Sequence, residues 1–192
     1  MWVLVIGGYG TCKESVIEYM SKKYEYSKDA PVTGASIFEQ QIGYLIARHN
    51  TAIKCHSESK TKKVASIRGF WDTHLVFTQF YRKIGLLTDE EYFILDKIYK
   101  GLFETTPSPD YIIYLKNTVI GSSCRVDMNK GVSVPNENID LLSKLYEQYA
   151  SMIRIPILDI NVDRDIVDVC EEINTGLPDR KFIGNLFPTR IL

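Results

Sequence analysis

Gly7, Gly8, Tyr9, Gly10, Thr11, Cys12, Lys13 and Glu14 form a short glycine-rich run ending in a lysine, directly after the apolar run Met1-Trp2-Val3-Leu4-Val5-Ile6. Such a run suits anions: backbone N–H groups that glycine leaves accessible, a helix N-terminus and one lysine converge on phosphate oxygens. The working pattern is Gly-x-x-x-x-Gly-Lys-(Ser or Thr). Gly7, Gly8, Gly10 and Lys13 fit it, whereas Cys12 stands at the last glycine and Glu14 at the hydroxyl that would hold Mg²⁺. A side chain at position 12 crowds the backbone's approach to phosphate. A carboxylate at 14 is a legitimate Mg²⁺ ligand, yet it repels the triphosphate, by about 4 kcal/mol for unit charges at ~4 Å and an effective dielectric near ~20. Ser15 offers a hydroxyl one residue further on, turned about 100° round a helix. A phosphate site that is kept but weakened is expected, and a turn that only reverses the chain is the competing reading.

Other chemistry is sparse. Phe38, Gln41, Leu45 and Arg48 recur at three- and four-residue steps, so Gln41 and Arg48 share one helix face. His49, His56 and His74 stand at no triad spacing with a nucleophile, which argues against hydrolase chemistry. Cys12, Cys55, Cys124 and Cys170 are widely spaced with no Cys-x-x-Cys pair, so free thiols in a reducing compartment are expected rather than zinc or disulfides. A formal net charge of −1 provides no long-range field for nucleic acid or an anionic membrane. The apolar run at residues 1–6 is far shorter than the ~20 residues of a membrane span. A cytoplasmic protein with no nucleic-acid or membrane partner is expected.

The elements that must position these residues read as one α/β domain over 1–192, with 45% hydrophobic and 24% charged residues. Residues 2–6 form a buried strand, and Lys13 to Lys23 a helix with Val16, Ile17 and Met20 inward. Residues 24–34 are mixed and broken by Pro31, and Ala35 to His49 forms the second helix. A Lys-rich loop over 57–63 leads to a short strand at Val64–Ile67. Helices follow near Trp71–Lys83 and Asp89–Phe103, the latter opened by Thr88-Asp-Glu-Glu. Strands at 110–115 and 155–160 flank a loop over 119–134 and a helix from Pro135 to Met152, and a helix over 162–173 closes the chain. Phe70, Trp71, Phe77, Phe80 and Tyr81 are expected in the core and on a dimer surface. Strands alternating with helices imply a three-layer parallel sheet covered on both faces.

In this order the segments resemble the deoxynucleoside kinase family, P-loop enzymes that move the terminal phosphate of ATP to a deoxynucleoside 5′-hydroxyl. The matching stretches are the opening strand and glycine turn, Gln41 with Arg48, and the run from Arg68 to Phe77. Pro109-Asp-Tyr-Ile-Ile-Tyr-Leu115, Cys124-Arg125 and Ile155-Pro-Ile-Leu-Asp159 continue it. The resemblance assigns nucleoside binding to Gln41 and Arg48, and phosphate binding to the loop with Ser15, Arg125 and Lys130. Lys13 and Arg68 take catalytic places, and Glu14 that of a metal ligand. It also exposes departures. Ala30 occupies the site of the catalytic base, with Asp29 beside it as a substitute. Ile67 replaces the acidic neighbour of Arg68, and Thr73, next to Asp72, replaces the acidic partner of Arg48, leaving that arginine without its expected partner. The lid over about 119–134 is short and poor in arginine.

The resemblance implies ATP and Mg²⁺ as reaction partners if the protein is active, a deoxynucleoside or nucleotide as ligand, and a homodimer. The substitutions imply a homologue whose phosphoryl transfer is weak or lost while binding persists. An active kinase with rearranged groups, and a non-catalytic protein that serves a structural or partner-binding role, are the alternatives.

Overall fold

The computed structural model describes residues 1–117 and 136–178. Its centre is β1 (Trp2–Gly7), all six residues of which are buried. Trp2, Leu4 and Ile6 face one core cluster while Val3 and Val5 face the other. A strand flanked by helices on both sides needs apolar residues at every position, which is why this run does not alternate. Strand β1 pairs in parallel with β3 (Val64–Ile67) on one side and β4 (Tyr111–Lys116) on the other. The edges are β2 (Glu25–Tyr26) and β5 (Ile157–Asn161), giving a five-stranded parallel sheet of order β2-β3-β1-β4-β5.

Helix α1 (Lys13–Met20) and α7 (Ile166–Gly176) cover one face, packing Val16, Ile17, Val169 and Ile173 on Val3, Val5, Ile113 and Ile160. The other face carries α2 (Ile37–Glu58), α5 (Asp89–Phe103), α6 (Asn136–Met152) and a continuous helix over residues 70–83. That helix comprises α3 (Phe70–Asp72), a π-helical stretch (Thr73–Thr78) and α4 (Gln79–Lys83). Both α2 and α5 open with reciprocal capping boxes, Ser36 with Glu39 and Thr88 with Glu91, so each first turn satisfies its own free N–H groups.

The expected three-layer parallel sheet is what the chain forms, with shifts at element ends. Helix α2 runs on to Glu58 rather than stopping at His49, because Thr51, Ala52 and Cys55 extend its buried face. The Lys-rich loop is correspondingly shorter. Helix α1 ends at Met20, and α7 lies about three residues later than the expected 162–173. Strand β2 went unforeseen because two exposed edge residues leave no periodic signal. Phe70, Trp71, Phe77, Phe80 and Tyr81 are all buried within the one chain, which removes them from any dimer surface. The expected lid over 119–134 lies outside the described residues.

Two glycines give opposite stability predictions. A Cβ on Gly7, whose φ is 151°, would stand 2.6 Å from the Leu115 carbonyl oxygen. Gly101, inside α5, has nothing within 4 Å of that position. Gly7→Ala should destabilise by about 1–3 kcal/mol, whereas Gly101→Ala should stabilise by about 0.5–1 kcal/mol. Urea unfolding midpoints of the two variants should therefore fall on opposite sides of the parent value.

Candidate functional site

The order of the strands sends connections in opposite directions from β1 and β3, and α/β folds bind ligands at the carboxyl ends of strands beside such a switch. There the chain leaves β1 through Gly7, pressed against β4, and turns at Gly10, whose φ is 76°. Cys12 then caps α1 with φ 53° and no side-chain hydrogen bond to the helix. The place of the last glycine in the phosphate-loop pattern is thus a position where this backbone is left-handed, and the cysteine adopts that shape at a cost of about 1–2 kcal/mol. Cys12 is also disulfide-bonded, which corrects the expectation of free thiols; Cys55 and Cys170 are free and buried. Spacing along the chain limits only local pairs, not those the fold brings together.

Lys13 is only 3% exposed. Its amino group curls back over the loop, donating to the Gly8 carbonyl and to Thr11 Oγ1 at 2.9 Å, while Thr11 Oγ1 donates to the Gly8 carbonyl at 3.0 Å. Burial, and next the neighbouring Arg68 guanidinium, push the Lys13 pKa down to about 7, with Glu14 and Asp72 opposing. Glu14 and Ser15 are exposed on the first turn of α1. The carboxylate of Glu14 there complements the positive end of the helix.

Arg68 follows β3 with φ 55°, the second left-handed non-glycine residue among those described. Its guanidinium lies 5.0 Å from the Phe77 ring centroid and 5.9 Å from that of Tyr9. Asp72, fully buried, accepts from the Gly69 N–H and from the Tyr146 hydroxyl at 3.1 Å. Burial raises its carboxyl pKa, while Arg48, the Gly69 N–H, Arg68 and Tyr146 pull it back. Asp72 is therefore the fully buried carboxylate among these basic groups.

Gln41 and Arg48 face inward from α2, 3% and 4% exposed, as their spacing implies. Thr78 Oγ1 donates to Gln41 Oε1 at 3.5 Å. Arg48 is not without a partner: its Nε donates to Asp29 Oδ2 at 3.4 Å, its Nη1 donates to Thr73 Oγ1, and it covers the Tyr44 ring at 4.8 Å. The expected loss fails because an acid from a different element, the β2–α2 connection, reaches the same guanidinium. Thr73 Oγ1 in turn donates to the Gly69 carbonyl at 2.8 Å, so Asp72 and Thr73 both anchor the start of the 70–83 helix. Ala30 is exposed.

The fold thus gathers Lys13, Arg68, Gln41, Arg48 and Asp29 at one end of the sheet. Arg125 and Lys130 lie outside the described residues. Sequence reading missed Tyr9, Tyr44 and Tyr146 as neighbours of the three basic groups. Tyr146 falls in an ordinary apolar helix stripe, and nothing in its spacing marks the hydroxyl. Among the described residues no group of three acidic, histidine or cysteine side chains could hold a metal by itself. No described helix is long and apolar enough to cross a membrane.

Comparison with known proteins gives a consistent picture. Deoxyadenosine kinase from M. mycoides with bound dATP superposes with a TM-score of 0.74 at 19% identity, covering 92% of this chain and 98% of that one. The same enzyme with dCTP gives 0.72 at 20% identity, covering 92% and 98%. With the products dCMP and a flexible dCDP it gives 0.69 at 19% identity, covering 92% and 97%. Compared by sequence with curated proteins, the chain has no match. The family model described as deoxynucleoside kinase matches residues 9–176, and the chain belongs to the deoxynucleoside kinase family.

Proposed function

We propose that this protein binds nucleotide phosphate at the β1–α1 turn and a deoxynucleoside against Gln41 and Arg48, with phosphoryl transfer slow or lost. The observation that carries the binding half is the charge balance of the site. Lys13 and Arg68 sit side by side in a poorly solvated space where Asp72 is the buried carboxylate. Buried cations are costly until an anion neutralises them. Gly7 allows close approach of backbone, and the N-terminus of α1 supplies further N–H groups.

The catalytic half is weaker. The family's kinases use ATP and Mg²⁺, which here would be held mainly by the phosphates with Glu14 as the nearest carboxylate of α1. Transfer breaks the bond from the terminal phosphorus to its bridging oxygen, forms one to the 5′-oxygen and passes the hydroxyl proton to a base. Ala30 has no base to offer, and Asp29 is engaged with Arg48. The residues present bind and orient better than they move a proton. A homodimer, as in the family, belongs to the same proposal; its check is a sedimentation mass of twice the chain.

Two measurements test this reading. Calorimetry with ATP and the four deoxynucleosides should show binding, whereas a phosphate-transfer assay on all four should show little turnover. Brisk turnover on any base would overturn the claim of lost chemistry, and silence with every ligand would overturn the claim of binding. Lys13→Met should abolish ATP binding, since it removes the amino group that would meet the phosphates.

A further check is pH dependence. Below about pH 7 the unliganded Lys13 is charged, and above it neutral. Phosphate needs the charged form, so binding above that point must take up a proton. Affinity for inorganic triphosphate should fall as pH rises past 7, approaching about tenfold per unit. Lys13→Met should remove this dependence. The sign for folding is the reverse: the unfolded chain holds more protons between about 7 and the ordinary lysine value of 10.5, so unliganded stability should rise with pH across that window.

A further inference from the structure

We infer that Asp29 is the positioning residue of the nucleoside site, holding the Arg48 guanidinium in its reading orientation rather than serving as a base. The inference rests on the nucleoside-binding role proposed above for Arg48. An arginine carries five N–H donors in a fixed plane. In Arg48 the Nε–H goes to Asp29 and one Nη1–H to Thr73, while the flat face rests on Tyr44. Three contacts from three elements fix a planar group completely: the β2–α2 connection, the π-helical stretch and α2 itself. What is left is three N–H bonds, one on Nη1 and two on Nη2, and one from each nitrogen can form a pair of parallel donors suited to adjacent acceptors on a base edge.

Removing Asp29 would not merely delete a surface charge. The carboxylate is 23% exposed while Arg48 is 4% exposed, so the acid supplies part of the neutralisation for a cation cut off from water. The other carboxylate acting on Arg48 is Asp72, whose oxygens are already taken by Gly69 and Tyr146. Thr73 cannot stand in, since its hydroxyl already accepts from Arg48 Nη1 and carries no negative charge to neutralise the guanidinium. Without Asp29 the guanidinium keeps only Thr73 and the Tyr44 ring, its Nε end is no longer held, and the donor pair loses its aim.

The test uses the full chain and titration calorimetry with deoxyadenosine, deoxycytidine, deoxyguanosine and thymidine, plus ATP as control ligand. Asp29→Asn should weaken the preferred nucleoside about tenfold or more and compress the affinity ratios among the four bases, with ATP affinity changed less than about twofold. Asp29→Glu should restore most of the loss. Arg48→Ala alone and Arg48→Ala with Asp29→Asn should bind equally weakly, because two residues acting through one contact are not additive. Unchanged nucleoside affinity in Asp29→Asn, or additive losses in the double variant, would overturn the inference while leaving the functional reading intact. Thermal unfolding screens out a variant that has simply lost its fold, in which case Asp29→Glu alone decides between restored and lost discrimination. No binding of any nucleoside by the unmodified protein would overturn both.

Discussion

Three basic side chains, Lys13, Arg48 and Arg68, meet where the carboxyl ends of β1 and β3 open, around one fully buried carboxylate on Asp72. Charge removed from water demands compensation from fixed groups nearby. Each cation meets that demand differently. Arg48 draws on Asp29 from a loop, and Arg68 lies against the faces of Tyr9 and Phe77. Lys13 has the least: it hydrogen-bonds to its own loop and drifts towards neutrality. The sheet, the long α2 and the 70–83 helix are arranged so that these three meet.

The same place stores backbone strain. Cys12 and Arg68 are the non-glycine residues with left-handed backbone among those described, and they flank the meeting point from two strands. Each costs about 1–3 kcal/mol unless its surroundings impose it. Strain of this kind concentrates where a side chain must be aimed. For Arg68 the aim is between two aromatic rings, and for Cys12 it is the first turn of α1.

The architecture was legible because β1 is apolar at every position and because Thr88 and Glu91 announce a helix start unambiguously. The inward face of α2 was legible too, since Gln41 and Arg48 keep a helical step. What could not be read was pairing across elements. Asp29 and Arg48 are nineteen residues apart and meet only because the connection from β2 to α2 brings the acid back to the inward face of the helix. Asp72 is a carboxylate in an otherwise aromatic stretch, and local pattern cannot distinguish a solvated acid there from a buried one. The disulfide state of Cys12 is of the same nature.

The π-helical stretch between Thr73 and Thr78 has a practical consequence for anyone comparing related chains. Such a stretch holds more residues per turn than the α-helix on either side. Counting back from Gln79 in steps of 3.6 therefore drifts out of phase before Thr73 is reached. Whether Asp72 or Thr73 is judged the counterpart of an acid in another protein then depends on where a gap is placed, not on chemistry. Superposed coordinates, with Arg48 as the landmark, are the ruler that keeps the two neighbours apart.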